Sequence, residues 1–179
     1  MRKIILYVAI SLDGKIAKLD GDVKWLESIP NPDQLDYGYV AFNEKIDTTI
    51  MGNKTYEEIL GFDVPFPYPD KKNYVLTRQA GKIDTEFVTF VSGDVLNFVK
   101  KLKTEKGKDI WLIGGSEVTT LFFNEDLVDE LFIFVMPIVI GAGIPLFGDY
   151  PIERPLQLME TKAYPTGVTF LKYEEKNVI

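Results

Sequence analysis

Neither cysteine nor histidine occurs anywhere in the 179 residues. Without cysteine there are no disulfides, no thiolate metal sites and no cysteine nucleophile. Without histidine there is no Ser-His-Asp machinery and no ordinary zinc ligand set, so no metal is expected. Proton transfer is left to carboxylates, lysine, tyrosine and bound water. Positive charge is also scarce: 20 lysines and arginines against 27 acids give a net charge of −7. That balance argues against a nucleic-acid surface, and any phosphate site must be a local gathering of cations and N–H groups. No apolar run is long enough to span a bilayer. Residues 131–140 are interrupted by Pro137, and the run at 4–10 leads into Ser-Leu-Asp-Gly-Lys rather than a small-residue cleavage site. A cytoplasmic protein with no membrane partner is therefore expected. At 46% hydrophobic and 26% charged the composition is globular, and one domain over residues 1–179 is the economical reading.

What is present is a strand–turn–helix signature at Asp109-Ile110-Trp111-Leu112-Ile113-Gly114-Gly115-Ser116-Glu117. A buried apolar run is followed by two glycines and a segment of helical character, 117–123. A helix start directs N–H groups and partial positive charge outward, and glycines let a phosphate approach them. The rest of the chain alternates in the same way. Residues 3–10 read as a buried strand, and 11–25 as a loop rich in Asp-Gly turns. Leu35, Tyr39, Phe42 and Ile46 predict an amphipathic helix starting near Asn31-Pro32-Asp33, with Asp36 at the edge of its apolar stripe. Strands are predicted at 48–51, 73–76, 87–91, 130–139, 155–163 and 167–175, and helices at 53–60 and 94–104. Residues 61–69 read as a surface loop, and Lys100, Lys101 and Lys103 as a solvated helix face. The fold class is α/β: a three-layer α/β/α arrangement on a mostly parallel sheet, with an antiparallel C-terminal ribbon.

Three predicted strands end in turns suited to phosphate: Met51-Gly52-Asn53-Lys54-Thr55, Leu76-Thr77-Arg78 and Ile113-Gly114-Gly115-Ser116. Each alone has a plain structural reading, as a surface helix residue, a strand exit or a tight turn. Together, at the carboxyl ends of parallel strands, they converge on one ligand. Neither a Gly-x-Gly-x-x-Gly fingerprint nor a Walker loop is present.

These turns, with Ser11-Leu12-Asp13-Gly14-Lys15-Ile16-Ala17 and the segment from Pro137 through Gly141-Ala142-Gly143 to Leu146-Phe147, resemble the dihydrofolate reductase-like superfamily. They are more similar still to the reductase domain of bifunctional riboflavin biosynthesis proteins, here in a stand-alone version. The resemblance implies an NADPH-dependent reductase. In that reading Gly114, Gly115 and Ser116 hold the pyrophosphate, with Ile113 and Glu117 beside them and a cis peptide between the glycines. Lys54 and Thr55 contact phosphates, with Gly52 also at the cofactor. Thr77 and Arg78 take the adenosine 2′-phosphate, a group that suits a guanidinium fork, with Leu76 also at the cofactor. Ala9, Ile16 and Ala17 wall the nicotinamide, while Lys15 and Trp25 face substrate.

The default substrate implied is 5-amino-6-(5-phosphoribosylamino)uracil, or another pyrimidine or pteridine reduced at C=N or C=O. Asp36 and Asp13 are the candidate proton donors. The alternatives are dihydrofolate reduction and a catalytically inactive nucleotide-binding homologue. Asn53 stands where the family usually has arginine, and the basic residues that such enzymes use for a ribose phosphate are missing. Residues 132–140 are expected to supply a homodimer interface.

Overall fold

The computed structural model describes residues 1–62 and 64–175. Position 63 of the 61–69 loop and positions 176–179 of the expected domain lie outside the described residues. In chain order the elements are β1 (Ile4–Ser11), β2 (Lys15–Lys18), a 3-10 turn (Lys24–Ser28), α1 (Tyr39–Glu44), β3 (Ile46–Gly52), α2 (Asn53–Leu60), β4 (Lys72–Leu76), β5 (Val88–Val91), α3 (Val95–Thr104), β6 (Asp109–Gly114), α4 (Ser116–Asn124), β7 (Glu130–Met136), β8 (Gly143–Pro145), β9 (Leu156–Ala163) and β10 (Thr169–Glu175).

Eight strands form one sheet in the order β5-β4-β3-β6-β1-β7-β10-β9. All neighbours from β5 to β7 are parallel, and β10 and β9 close the edge as an antiparallel ribbon. The α/β prediction holds, including helices on both faces. Ile4 and Leu6 of β1 pack with Val99 and Leu102 of α3 and Phe122 of α4. Ile5, one residue out of phase, packs on the other face with Phe42 of α1, Ile46 and Trp111. Met51 and Val75 meet Tyr56 and Ile59 of α2. This is the period-two alternation of strands covered on both sides.

Four local expectations are corrected. The helix predicted from residue 33 begins only at Tyr39. Asn31 bonds both backbone groups of Leu35, and the Asp36 carboxylate accepts from the amides of Gly38 and Val40. Such local side-chain bonds compete with helix. Gln34, Tyr37 and Gly38 accordingly take left-handed conformations, and Ile46 belongs to β3. Lys103 does not face water: it is 9% exposed, its ammonium held by the Asp129 carboxylate at 2.7 Å and the Leu127 carbonyl at 3.1 Å. The strand predicted to reach 139 stops at Met136, before Pro137. Residues 15–18, read as part of a loop, pair with residues 143–145 as a separate two-stranded ribbon.

One polar side chain inside the sheet fixes how the site-bearing strands sit. Asn73 of β4 is 3% exposed. Its amide nitrogen reaches the carbonyls of Tyr68, Lys71 and Phe87, and its oxygen accepts from the Thr49 hydroxyl of β3 at 2.7 Å. One side chain thus ties β3, β4 and the entry to β5. Asn73→Ala, which strands these buried partners, is expected to cost about 3 kcal/mol in denaturant unfolding. Lys101→Ala, on the exposed face of α3, should change stability by less than about 0.5 kcal/mol.

Candidate active site

The site is built on register. In the parallel pair β3–β4, Gly52 lies opposite Leu76; in β3–β6, Met51 lies opposite Gly114. The three phosphate-type turns therefore leave the sheet side by side at the same level. Two of them run directly into helices. Gly52 is the residue before α2 and Gly115 the residue before α4, and neither offers a side chain to cap its helix. By contrast, Asp94 caps α3 by accepting from Asn97 N at 3.1 Å. The amides at the starts of α2 and α4 are thus left for an outside acceptor, at the positive ends of both helix dipoles.

Close packing joins these turns. A Cβ at Gly115 would lie 3.0 Å from the Thr55 hydroxyl, and one at Gly52 would lie 3.1 Å from Val118. Gly114 has φ +119°, and the Gly114–Gly115 peptide is cis. The Ser116 hydroxyl is buried and has no hydrogen-bond partner among the described residues. Beside it, Thr120 Oγ1 accepts from Gly148 N at 2.7 Å, so the stretch after β8 forms a further wall. An orphaned hydroxyl at the first residue of an uncapped helix suits a diphosphate.

The cations lie along the same rim. Lys54 is exposed in the first turn of α2, and Leu76 and Thr77 are buried at the end of β4. Arg78 is exposed and bridges to Glu117 of α4 at 2.6 Å, spanning the rim from β4 to α4. Exposed pairs of this kind contribute only about 0–1 kcal/mol, so an incoming anion competes easily for the guanidinium. The other arginines are engaged elsewhere, Arg2 with Asp47 and Thr48, and Arg154 with Asp126 and Glu175.

The residues expected at the nicotinamide and substrate end are less uniformly gathered. Ala17 is buried in β2, with Gly143 of β8 packed so closely on its carbonyl that a Cβ there would fall 2.5 Å away. Ile16 packs with the α3/α4 core, while Ala9 packs with the cluster on the opposite face. Trp25 also lies in that second cluster, 5% exposed among Phe134, Met136, Val168 and Phe170. Its position is core, and its indole N–H has no partner among the described residues. Lys15 is half-buried, with its amide on the Ser11 hydroxyl.

Asp13 is a tether. It accepts from the Ser11 hydroxyl at 2.6 Å and from the amides of Ile140 and Gly141 at 3.1 and 2.8 Å. It thereby joins the loop after β1 to the segment after β7. The Ser11 hydroxyl, then the two amides, hold its carboxyl below the usual range. Asp36 is not on a helix edge as expected, but in the exposed turn before α1, where the amides of Gly38 and Val40 likewise lower its pKa. Its charged and titratable neighbours are Lys162, Tyr7 and Tyr164, away from the phosphate turns.

Sequence reasoning missed Thr120 and Gly148, and also the ammonium of Lys82, which donates to Asn53 at the start of α2. Gly148 follows directly on the Leu146-Phe147 pair already singled out. Nothing in the spacing of Lys82 signals its approach to α2.

Glycine turns along the carboxyl rim of a mostly parallel sheet, closed by an antiparallel C-terminal ribbon, define a dihydrofolate reductase-like architecture. Residues 67–170 match the RibD C-terminal domain family, and the chain belongs to that family, one of reductase-type proteins. It is 42% identical to the uncharacterized protein YwjB of Bacillus subtilis (strain 168), over 93% of this chain and 95% of that protein. A putative riboflavin biosynthesis protein from Shewanella sp. PV-4 superposes with TM-score 0.87 at 32% identity, covering 98% of this chain and 99% of that one. A diaminohydroxyphosphoribosylaminopyrimidine deaminase/5-amino-6-(5-phosphoribosylamino)uracil reductase from Thermotoga maritima shares the fold. There the TM-score is 0.72 at 17% identity, over 98% of this chain and 57% of that one.

The Asp13 tether has a pH signature. Its pKa is lowered in the folded protein, so its stabilisation is present above the unfolded value of about 4 and lost as pH falls through the folded value. Asp13→Asn should therefore melt at lower temperature than the unaltered protein at neutral pH, with the gap closing under acid. Thermal melts of both proteins across pH check this.

Proposed function

We propose that the protein is an NADPH-dependent reductase acting on a C=N or C=O group of a pyrimidine- or pteridine-like small molecule. The observation that carries the reading is the pair of uncapped helix starts abreast on one rim, flanked by Thr77 and Arg78. Gly114, Gly115, Ser116 and Thr55 would hold the diphosphate; Lys54, Thr77 and Arg78 would hold the adenosine end. Ala9, Ile16 and Ala17 would line the nicotinamide end. When bound, NADPH supplies a hydride to an electrophilic carbon. The chain's part is to orient that group and to exclude water around it. Glu117 holds Arg78 in place until a phosphate competes for it.

Asp13 and Asp36 have depressed pKa values, which supports a role as acceptors that orient water rather than as acids. The proton then reaches the reduced atom from that water. With no histidine in the chain, kcat/KM should show no ionisation of either carboxylate between about pH 5.5 and 8. A pH–rate profile with a step in that window that disappears in Asp36→Asn or Asp13→Asn would assign the acid role after all.

The substrate of the Thermotoga protein, 5-amino-6-(5-phosphoribosylamino)uracil, heads the panel to be tried, followed by dihydrofolate. The decisive experiment is a fluorescence titration. NADPH should saturate the protein, and Arg78→Gln should weaken NADPH binding about tenfold while leaving NADH unchanged. Absence of saturable NADPH binding would end the reading. A protein that binds NADPH yet reduces nothing in the panel would be the inactive homologue.

The same reading includes a cytoplasmic homodimer. On the α1 face, Tyr7, Phe132, Phe134 and Phe170 line a groove of about 490 Å³ edged by residues of both signs. That pattern suits an isologous contact. Light scattering should give twice 20.4 kDa; a monomer mass would remove this part.

A further inference from the structure

Lys82 lies in the connection between β4 and β5, downstream of Thr77-Arg78. Its ammonium donates to Asn53 Oδ1, lies 3.8 Å from Glu57 Oε1 and sits 4.7 Å from the centroid of the Phe90 ring. Asn53 is the first residue of α2, and its amide is in turn fixed on Glu57 at 2.7 Å. The Lys82 side chain is 27% exposed, against 92% for Arg78. A flexible lysine is thus held on an aromatic face and aimed at the start of a helix.

That is the wrong end of a helix for a cation. The N-terminus carries partial positive charge and favours acidic groups. The first turn of α2 has no acidic residue, and Lys54 adds a second cation there. Glu57 answers only part of this charge, because at 3.8 Å and half in solvent its attraction is screened. Broken local rules of this kind collect at binding sites, where a ligand supplies the missing charge. A phosphate monoester, with about 1.5 to 2 negative charges at neutral pH, is suited to such a place.

Resting on the NADPH reading above, we propose that Lys82 is a phosphate-binding residue of the adenosine end, and that with Arg78 it selects NADPH over NADH. Asn53 positions it. The diphosphate is served by the Gly114–Ser116 turn and Thr55, whereas Lys82 belongs to the same β4–β5 connection as Thr77 and Arg78. Arg78 reaches towards Glu117 of α4 and Lys82 towards Asn53 of α2.

The test is binding rather than turnover. NADPH, NADH, adenosine 2′,5′-bisphosphate and AMP are titrated into the intact protein at fixed ionic strength. Lys82→Gln should raise the Kd for NADPH and for the bisphosphate about tenfold and leave NADH and AMP unchanged. Lys82→Arg, which keeps the charge, should retain the preference. Lys101→Gln, a surface control, should change nothing. The dependence of log Kd on log salt should be shallower for Lys82→Gln with NADPH alone.

If Lys82→Gln weakens NADPH and NADH equally, or neither, while Arg78→Gln remains selective, the assignment to Lys82 is wrong and the cofactor reading stands. If the unaltered protein binds no dinucleotide, both fall together.

Discussion

Everything at the rim depends on parallel strands held in level register. β3 sits between β4 and β6, and its end meets Leu76 on one side and Gly114 on the other. A slip of one residue would turn each strand's buried side chains to the opposite face. Ile50, Val75 and Leu112, all fully buried, make that slip costly, and the Asn73 network makes it more so. The β3–β6 register shifts twice, first between Ile46 and Thr48, and again at the rim, between Ile50 and Met51, where β6 carries the extra residue Ile113 just before its glycines. Such irregularities re-aim a strand end at a functional site. Here the shift sets Gly114 beside Met51, and with it the start of α4 beside the start of α2.

A second constraint comes from the other end of the chain. The loop after β1 has little regular structure of its own, but it is tied down at several points. Asp13 takes the amides of Ile140 and Gly141, Leu12 N donates to the Ile138 carbonyl, and β2 pairs with β8. Beyond β8, Gly148 meets Thr120 of α4. Residues 11–18 and 137–148 therefore form one structural unit that borders the rim. The tether explains why an aspartate sits in a turn with both oxygens occupied. It also explains why such a carboxylate stays ionised, and so is better at orienting than at donating a proton.

Much of this was legible in the sequence because it follows from short-range rules. Apolar runs flanked by glycine marked the strands, and the strand–turn–helix joints at Gly52 and Gly114-Gly115 marked the rim. What was hidden depends on side chains reaching across the chain. Leu35, Tyr39, Phe42 and Ile46 have helical spacing, yet Asn31 and Asp36 spend the first half of that segment in side-chain-bonded turns and β3 takes Ile46. Lys103 reads as solvated until Asp129 and Leu127 are seen to surround it. Trp25 has the composition of a substrate wall and the position of a core residue. Lys82 carries no local signal, because its partners Asn53 and Phe90 come from other elements.

If the three turns act as a single anion-binding rim, a ligand that reaches one must reach all of them. Amide resonances of Gly52–Thr55, Thr77–Arg78 and Gly114–Glu117, followed by NMR during titration with NADPH, test it most directly. All three groups should shift along one common saturation curve, while amides at the opposite ends of the strands stay still. Shifts confined to one turn, or saturating at different concentrations in different turns, would contradict it.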